Sequence, residues 1–421
     1  MDIPFPFVRL SKRTGWYGMP EYEMEERVEK YWEKINKQLS TEDEQKLNQL
    51  VDALEEQFVD PTEQHPVKAV DVAKWFDPTS LVGLLKPRYP RFDTIKDRFI
   101  PRFRFFAYLT ISQKKSLRQA YLSLSDQEFQ TLGFPEKPRY ELLREFLYER
   151  IGVELFPVVF HLVVQELAVL LKQRGIQLGA RTFQDATDAR ALKHDPEAKY
   201  SGYYKESGYK LDVTIDAERE VPLVYLPMEI TADEGKNLIP SQEHLESLKM
   251  QTKEHVVDDK YATYENIARS ELHGTAMIYK IAKNWVYNTR STPGDIKMVY
   301  QRYHQENDFI PGADLEFMLH YLHKKGETEI VGALYRNQRM NEREENPEGY
   351  DQKCNERGSR MEGFFGRVKT TTILDDHPGR RGWKGFLLRA GLCMLALVFA
   401  ALIRVQNGVL DHLTNVTYII T

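Results

Sequence analysis

Three carboxylates sit where this sequence could do chemistry: Asp185, Asp258 and Glu362. Asp185 lies in a strand-like run that begins at Thr182, and Asp258 directly follows the short apolar run His255–Val257. Glu362 falls on a helix whose apolar positions are Met361, Phe364, Phe365 and Val368. Acids at the ends of neighbouring strands can converge, and a helix packed beside the sheet can add a third. Such a group cannot stay ionised without a counter-charge. Hard divalent cations such as Mg²⁺ or Mn²⁺ supply one and prefer oxygen ligands. Two ions about 3.5–4 Å apart can activate a nucleophilic oxygen and stabilise the leaving one in phosphodiester chemistry. The chain has 63 Asp and Glu, so the choice of these three rests on their context.

The context of Glu362 is RGSRMEGFFGRVK, residues 357–369. Glu362 and Lys369 stand two helical turns apart and so share an azimuth. Gly363 and Gly366 clear side chains from the neighbourhood, which would admit a nucleic-acid backbone. Arg357, Arg360, Arg367 and Lys369 could each contact a phosphate. The plainer alternative is an amphipathic helix with one charge pair. Against it, two interior glycines cost about 1 kcal/mol each relative to Ala.

Elements with distinct periodicities must position these residues. Residues 21–59 carry apolar side chains at helical spacing, closed by Pro61 and Pro66. Residues 110–150 read as helical, with a turn at GFPEKP (133–138) giving a helix-turn-helix pattern, and an apolar helix spans Glu154 to Gln173. Alternation then takes over in Thr182–Thr187, Tyr209–Ile215 and Val221–Ile230. A helix at Pro240–Met250, a strand at 255–258, a helix at Tyr261–Leu272 and a strand at Thr275–Ile281 complete a mixed α/β core. Thr328–Tyr335 reads as a strand and the polar run 337–353 as a loop. A final helical block starts at Gly358.

Composition narrows the class. At 421 residues, with 42% hydrophobic and 12% aromatic residues, the chain can build a sizeable core. Two cysteines, Cys354 and Cys393, cannot make a disulfide framework or a four-thiolate zinc site, which favours a reducing, intracellular setting. The amino-terminal segment lacks a signal peptide's apolar core. Ala390–Ile403 is a 14-residue apolar run, shorter than the roughly 20 residues of a spanning helix, and reads as a buried helix rather than a membrane segment. The net charge of -5 conceals an asymmetry. Residues 19–64 hold fourteen acidic against five basic residues; residues 84–119 hold ten basic against two acidic, interleaved with aromatics. A basic block of this kind suits phosphate or pairs with the acidic segment.

Four motifs in order resemble the DDE-type transposases of prokaryotic insertion sequences. FQDATDARA is similar to their D-x-T strand, and ESGYKLDVTID to the G-Y-K strand that follows, which brings in Lys210. EHVVDDKYATYENI is similar to the D-x-x-Y…N element, and RMEGFFGRVK to the E-x6-K helix. WKGFLLRAGLCMLALVFAALIRVQNG is similar to the closing helix. The family's Tyr and Arg, seven and four residues before the Glu, are replaced here by Asn355 and Gly358, with Tyr350 and Arg357 displaced. Asp259 and Asp188 are neighbours that compete with Asp258 and Asp185.

The resemblance implies an α/β, ribonuclease H-like mixed sheet flanked by helices, with a helical N-terminal region and an insertion before the last catalytic helix. The organisation expected is an acidic helical segment (1–80), a basic end-binding region (81–152), the first part of the catalytic domain (153–282), an insertion (283–350) and the catalytic C-terminal part (351–421). It also implies metal-dependent cleavage of transposon ends and strand transfer into target DNA. Asp185, Asp258 and Glu362 would hold two Mg²⁺, replaceable by Mn²⁺. Lys369, Arg367, Arg360, Arg357, Lys210, Arg102 and Arg104 would contact DNA. The partners implied are double-stranded terminal inverted repeats and target DNA, met by a homodimer in the prokaryotic cytoplasm at the nucleoid. A ribonuclease H-like nuclease without strand transfer, or a catalytically idle DNA-binding descendant, are the alternatives.

If the basic block meets DNA, log affinity falls with log salt by about 0.9 per phosphate contact. Replacing Arg102 and Arg104 with Ala is then expected to weaken end binding and reduce that slope by up to about 2. If the block has only a packing role, the double variant keeps its slope and melts at a lower temperature; salt titration and thermal melting on one protein separate the two.

Overall fold

The computed structural model describes residues 67–421 except 89–90, 113, 115, 192–193, 282–293, 307–313, 373, 375–380, 415–418 and 421. The helices expected over 21–59, with most of the 1–80 segment, lie outside the described residues. Alternation in the middle of the chain produces a six-stranded mixed sheet. Its strands are β1 (Arg181–Arg190), β2 (Lys199–Ser201), β3 (Glu206–Asp216), β4 (Pro222–Glu229), β5 (Glu254–Val257) and β6 (Ala276–Tyr279). The main order is β4-β3-β1-β5-β6, with short β2 also on β3. β3 runs antiparallel to β1 and β4, whereas β5 and β6 run parallel to β1. Tight turns serve the antiparallel part and helical crossovers the parallel part, as chain connectivity requires.

The helices that concern the site are α1 (Phe99–Ile111), α2 (Gly152–Gln173), α3 (Leu238–Ser247), α4 (Tyr264–Leu272), α5 (Gly294–Glu306), α6 (Leu315–Lys324), α7 (Thr328–Glu345), α8 (Pro347–Thr371) and α9 (Gly382–Gln406). α9 is apolar all round and almost wholly buried, the property of a core helix. The Ala390–Ile403 run lies inside it. The segment Tyr140–Gln173 and α9 are both long and apolar enough to cross a membrane by length and composition alone. α9 instead packs inside the apolar cluster of the described residues. Phe386 stacks on Tyr209 of β3 at 4.7 Å, and Phe399 meets Phe76 and Phe106 edge-on at 5.1 and 5.7 Å. One apolar cluster therefore joins α1, the sheet, α8 and α9.

The helix-turn-helix pattern is present as short helices, Asp126–Thr131 and Tyr140–Glu145, the second running on to Ile151. Ser125 and Glu128 form a reciprocal capping box at the first, and Gly133 turns the chain with φ +98°. Phe129, Leu132, Phe134 and Leu143 point into the core.

Residues 328–353 differ from their sequence reading. Thr328–Tyr335 is the first half of helix α7, not a strand. Val331 and Leu334 fit a helical stripe, and they bury against Val299, Tyr303, Met318 and Leu322 from α5 and α6. The polar run after it is helical too, broken only at Asn346, whose side chain accepts from Gly349 N at the start of α8. Its charges are engaged: Arg339 forks onto Glu271 at 2.6 Å, and Arg343 pairs with Asp351 at 2.8 Å. α8 thus begins well before Gly358.

Gly332 sits where α7 crosses α4, and a Cβ there would collide with the Tyr264 carbonyl. Gly332→Ala is expected to cost about 1–3 kcal/mol through overpacking, despite the higher helix propensity of Ala. Chemical denaturation would show it as a lower midpoint with an unchanged slope.

Candidate active site

Register places the first two acids side by side. Arg181 pairs with Glu254, Thr182 with His255 and Phe183 with Val256 across parallel β1 and β5. Two residues further on, Asp185 and Asp258 follow on the same face, because side chains alternate along a strand. Both are partly exposed. Arg357 of α8 bridges them, Nη1 donating to Asp185 Oδ2 at 2.6 Å and Nη2 reaching Asp258 Oδ1 at 3.5 Å. Ala186 N donates to the other Asp185 oxygen at 2.9 Å. Burial pushes the Asp185 carboxyl above its ordinary value, and the Arg357 charge opposes that rise. Asp259 is exposed, and Asp188 instead accepts from Lys369 at 2.9 Å.

α8 is held over this face by a ladder of contacts. Tyr350 donates to the Tyr279 carbonyl of β6, Lys353 pairs with Glu254 of β5, and Glu356 pairs with Arg181 of β1 at 2.9 Å. Arg360 and Arg367 both meet Glu220 in the β3–β4 turn. Residues 353, 356, 357 and 360 have the spacing of one helical face. Glu362 is five residues beyond Arg357, roughly 140° around the helix at 3.6 residues per turn. It is exposed and stands apart from the carboxylate pair. Lys369 turns its long side chain back to Asp188, so the seven-residue spacing does not bring Glu362 and Lys369 to a common target.

The remaining expected DNA contacts are engaged within the protein. Lys210 is buried, with Nζ donating to Glu234 Oε1 and to the Ala232 carbonyl, both at 2.7 Å. Arg102 lies over the rings of Phe99 and Phe146, and Arg104 donates to the Phe76 carbonyl at 3.0 Å.

A polar network beneath the acids was not anticipated. Asp212 of β3 is fully buried and accepts from Gln184 of β1 at 2.8 Å, Tyr261 at 2.8 Å and Asn237 at 3.2 Å. Burial pushes its pKa up to about 7, against the pull of these donors. Tyr261 and Asn266 belong to the YATYEN run. Asn266 Nδ2 donates to the carbonyls of Tyr261 and Gly235, each at 2.8 Å. The network pins the loop that carries Asp258. The alternation of ESGYKLDVTID hinted at one buried and one exposed face, whereas β3 is buried on both faces because helices cover each side.

In this arrangement Glu362 does not join the acid pair. Only two carboxylates converge, and they already share a guanidinium. Among the described residues no group of three or more His, Cys, Asp or Glu could hold a metal ion.

No family model matches this chain, and no curated protein matches it. Among solved structures, it is similar to a chain of the piggyBac transposase synaptic complex with hairpin DNA, determined by cryo-electron microscopy. Identity is 10%, 82% of each chain is covered, and the TM-score is 0.29, too low to establish fold or function.

Removing Arg357 isolates the acid pair and tests its role. Arg357→Ala is expected to cost about 1–3 kcal/mol at neutral pH, the penalty of a half-buried charge without its partner. Asp185 already has a folded pKa above the unfolded value of 3.8. A raised carboxylate pKa makes stability fall as pH rises from the unfolded to the folded pKa. Loss of Arg357 raises it further and steepens that fall. Thermal melts should therefore show the wild-type advantage at pH 7 shrinking as pH drops toward 4; an equal gap at both pH values would reject the ion-pair account.

Proposed function

We propose that the chain is a transposase of the kind carried by prokaryotic insertion sequences, with a ribonuclease H-like catalytic domain. One observation carries the reading: two carboxylates, Asp185 on β1 and Asp258 directly after the parallel strand β5, share a single cation. Support comes from the strand order, with an antiparallel hairpin on one side of β1 and two parallel strands on the other, and from the four sequence motifs above. The activity proposed is hydrolysis at the element's ends, followed by attack of the freed 3′-hydroxyl on target DNA. Terminal inverted repeats, target DNA and a homodimer on paired ends are the partners proposed, and the prokaryotic nucleoid is the place. Mg²⁺, or Mn²⁺ in its stead, belongs to the proposal with Asp185, Asp258 and Glu362 as donors. That donor set assembles only if Arg357 leaves the acid pair and Glu362 turns toward it. Arg357, Arg360, Arg367 and Lys369 would exchange their carboxylate partners for DNA phosphates.

A second reading is favoured by the same helix. Arg357 neutralises the acids and Glu362 faces solvent, which suits a catalytically idle DNA-binding descendant of a transposase.

Incubation of the chain with Mg²⁺ and the DNA flanking its own reading frame separates these. End cleavage and joined products are expected from the wild type, and Asp185→Asn and Asp258→Asn should abolish both while retaining end binding. Glu362→Ala should abolish them too if it completes the donor set; wild-type rates would remove it. Cleavage without joined products marks a nuclease, and binding with no cleavage marks the idle protein.

A further inference from the structure

The β2–β3 hairpin, KYSGYYKE at 199–206, presents aromatic rings to solvent beside the acid pair. Tyr203 is 79% and Tyr200 63% exposed, the two most solvent-exposed aromatic side chains among the described residues. Aromatic side chains normally bury most of their surface. These are held in place rather than loose. Lys199, Tyr200 and Ser201 pair with Gly208, Ser207 and Glu206, and Tyr204 N donates to Ser201 Oγ at 3.3 Å. Tyr203 and Tyr204 stand in a T-shaped pair at 4.9 Å, and Lys260 Nζ lies 5.1 Å from the Tyr203 centroid.

Position and charge indicate what would cover these rings. Lys260 is two residues from Asp258, and the half-buried Tyr204 phenol lies within electrostatic reach of Asp185 and Asp188. The hairpin therefore borders the acid pair. Lys205 and Lys260 are exposed and cationic, Lys260 also lying 3.6 Å from Glu234, so rings and positive charge occur together here. Unpaired nucleobases carry a flat π-face and an anionic phosphate at each step, which such a surface binds with little regard to sequence.

We infer that the Tyr200–Tyr203 hairpin is a stacking surface for unpaired bases of a DNA strand leading to the acid pair. The inference rests on the nuclease-type reading of that pair. It adds a class of substrate: DNA whose end is frayed or single-stranded.

The test uses the full chain and fluorescence anisotropy with three labelled oligonucleotides of one sequence: a single strand, a duplex with a frayed end and a blunt duplex. The double variant Tyr200→Ala/Tyr203→Ala should bind the single strand and the frayed duplex on the order of tenfold more weakly, with blunt-duplex affinity unchanged. Phe at both positions should restore binding, since the ring and not the hydroxyl does the stacking. Unchanged single-strand affinity would overturn the inference, as would an equal loss on the blunt duplex. Loss of self-association in the variant, seen by sedimentation, would overturn it in favour of a protein contact. Failure of cleavage by the wild type, with the stacking result intact, would fall on the catalytic reading alone; absence of binding to any of the three would sink both.

Discussion

Two carboxylates held next to each other across a parallel strand pair need a positive charge, and much of this structure follows from how that need is met. Two like charges about 4 Å apart cost about 4 kcal/mol at an effective dielectric near 20. Arg357 supplies the counter-charge, and to reach it α8 must lie over β1 and β5 in one rotational setting. Lys353 on Glu254, Glu356 on Arg181 and Arg360 on Glu220 fix that same setting. The helix register and the acid pair are one electrostatic object.

The supports below the pair are of a different kind. Asp212, Gln184, Tyr261 and Asn237 form a largely buried network in which the Asp212 carboxylate accepts from the other three, while Gln184 Oε1 is left without a partner. Three donors converging on one buried carboxylate rigidify the sheet end, because displacing any of them weakens the hold on Asp212. Lys210 and Glu234, buried together, extend it toward the β4–α3 connection. The acids sit at a partly open edge above a stiff floor, with the exposed tyrosine hairpin alongside. Stiffness below and access above suit a long polymeric ligand better than a small enclosed one.

Cation placement also bears on how such a surface would meet DNA. Arg357, Arg360, Arg367 and Lys369 all spend their charge on the protein's own carboxylates. Phosphate contact by any of them is an exchange of partners, so its net contribution is smaller than a count of basic residues suggests. Arg102 and Arg104, packed on aromatic rings and a backbone carbonyl, face the same competition.

The sequence alone makes legible the alternating strands from Thr182 to Ile230, the short strand before Asp258 and the long apolar helix found as α9, whereas Asp185 and Asp258 become neighbours only through the parallel pairing of β1 and β5. The first three follow from periods that neighbours in sequence control; Asp185 itself lies mid-strand in β1 rather than at the strand end its sequence suggests. The sequence misread Thr328–Tyr335, because a short β-branched run fits either period and only burial against α5 and α6 selects the helix. It also placed Glu362 and Lys369 on a shared azimuth correctly, yet not on the acid pair. Which azimuth of α8 faces the sheet depends on Glu254, Arg181 and Glu220, residues 99 to 175 positions from their partners in α8. Their charges turn Arg357 inward and leave Glu362 in solvent. Periodicity fixes what lies on a common face of a helix, but only long-range packing and charge decide where that face points.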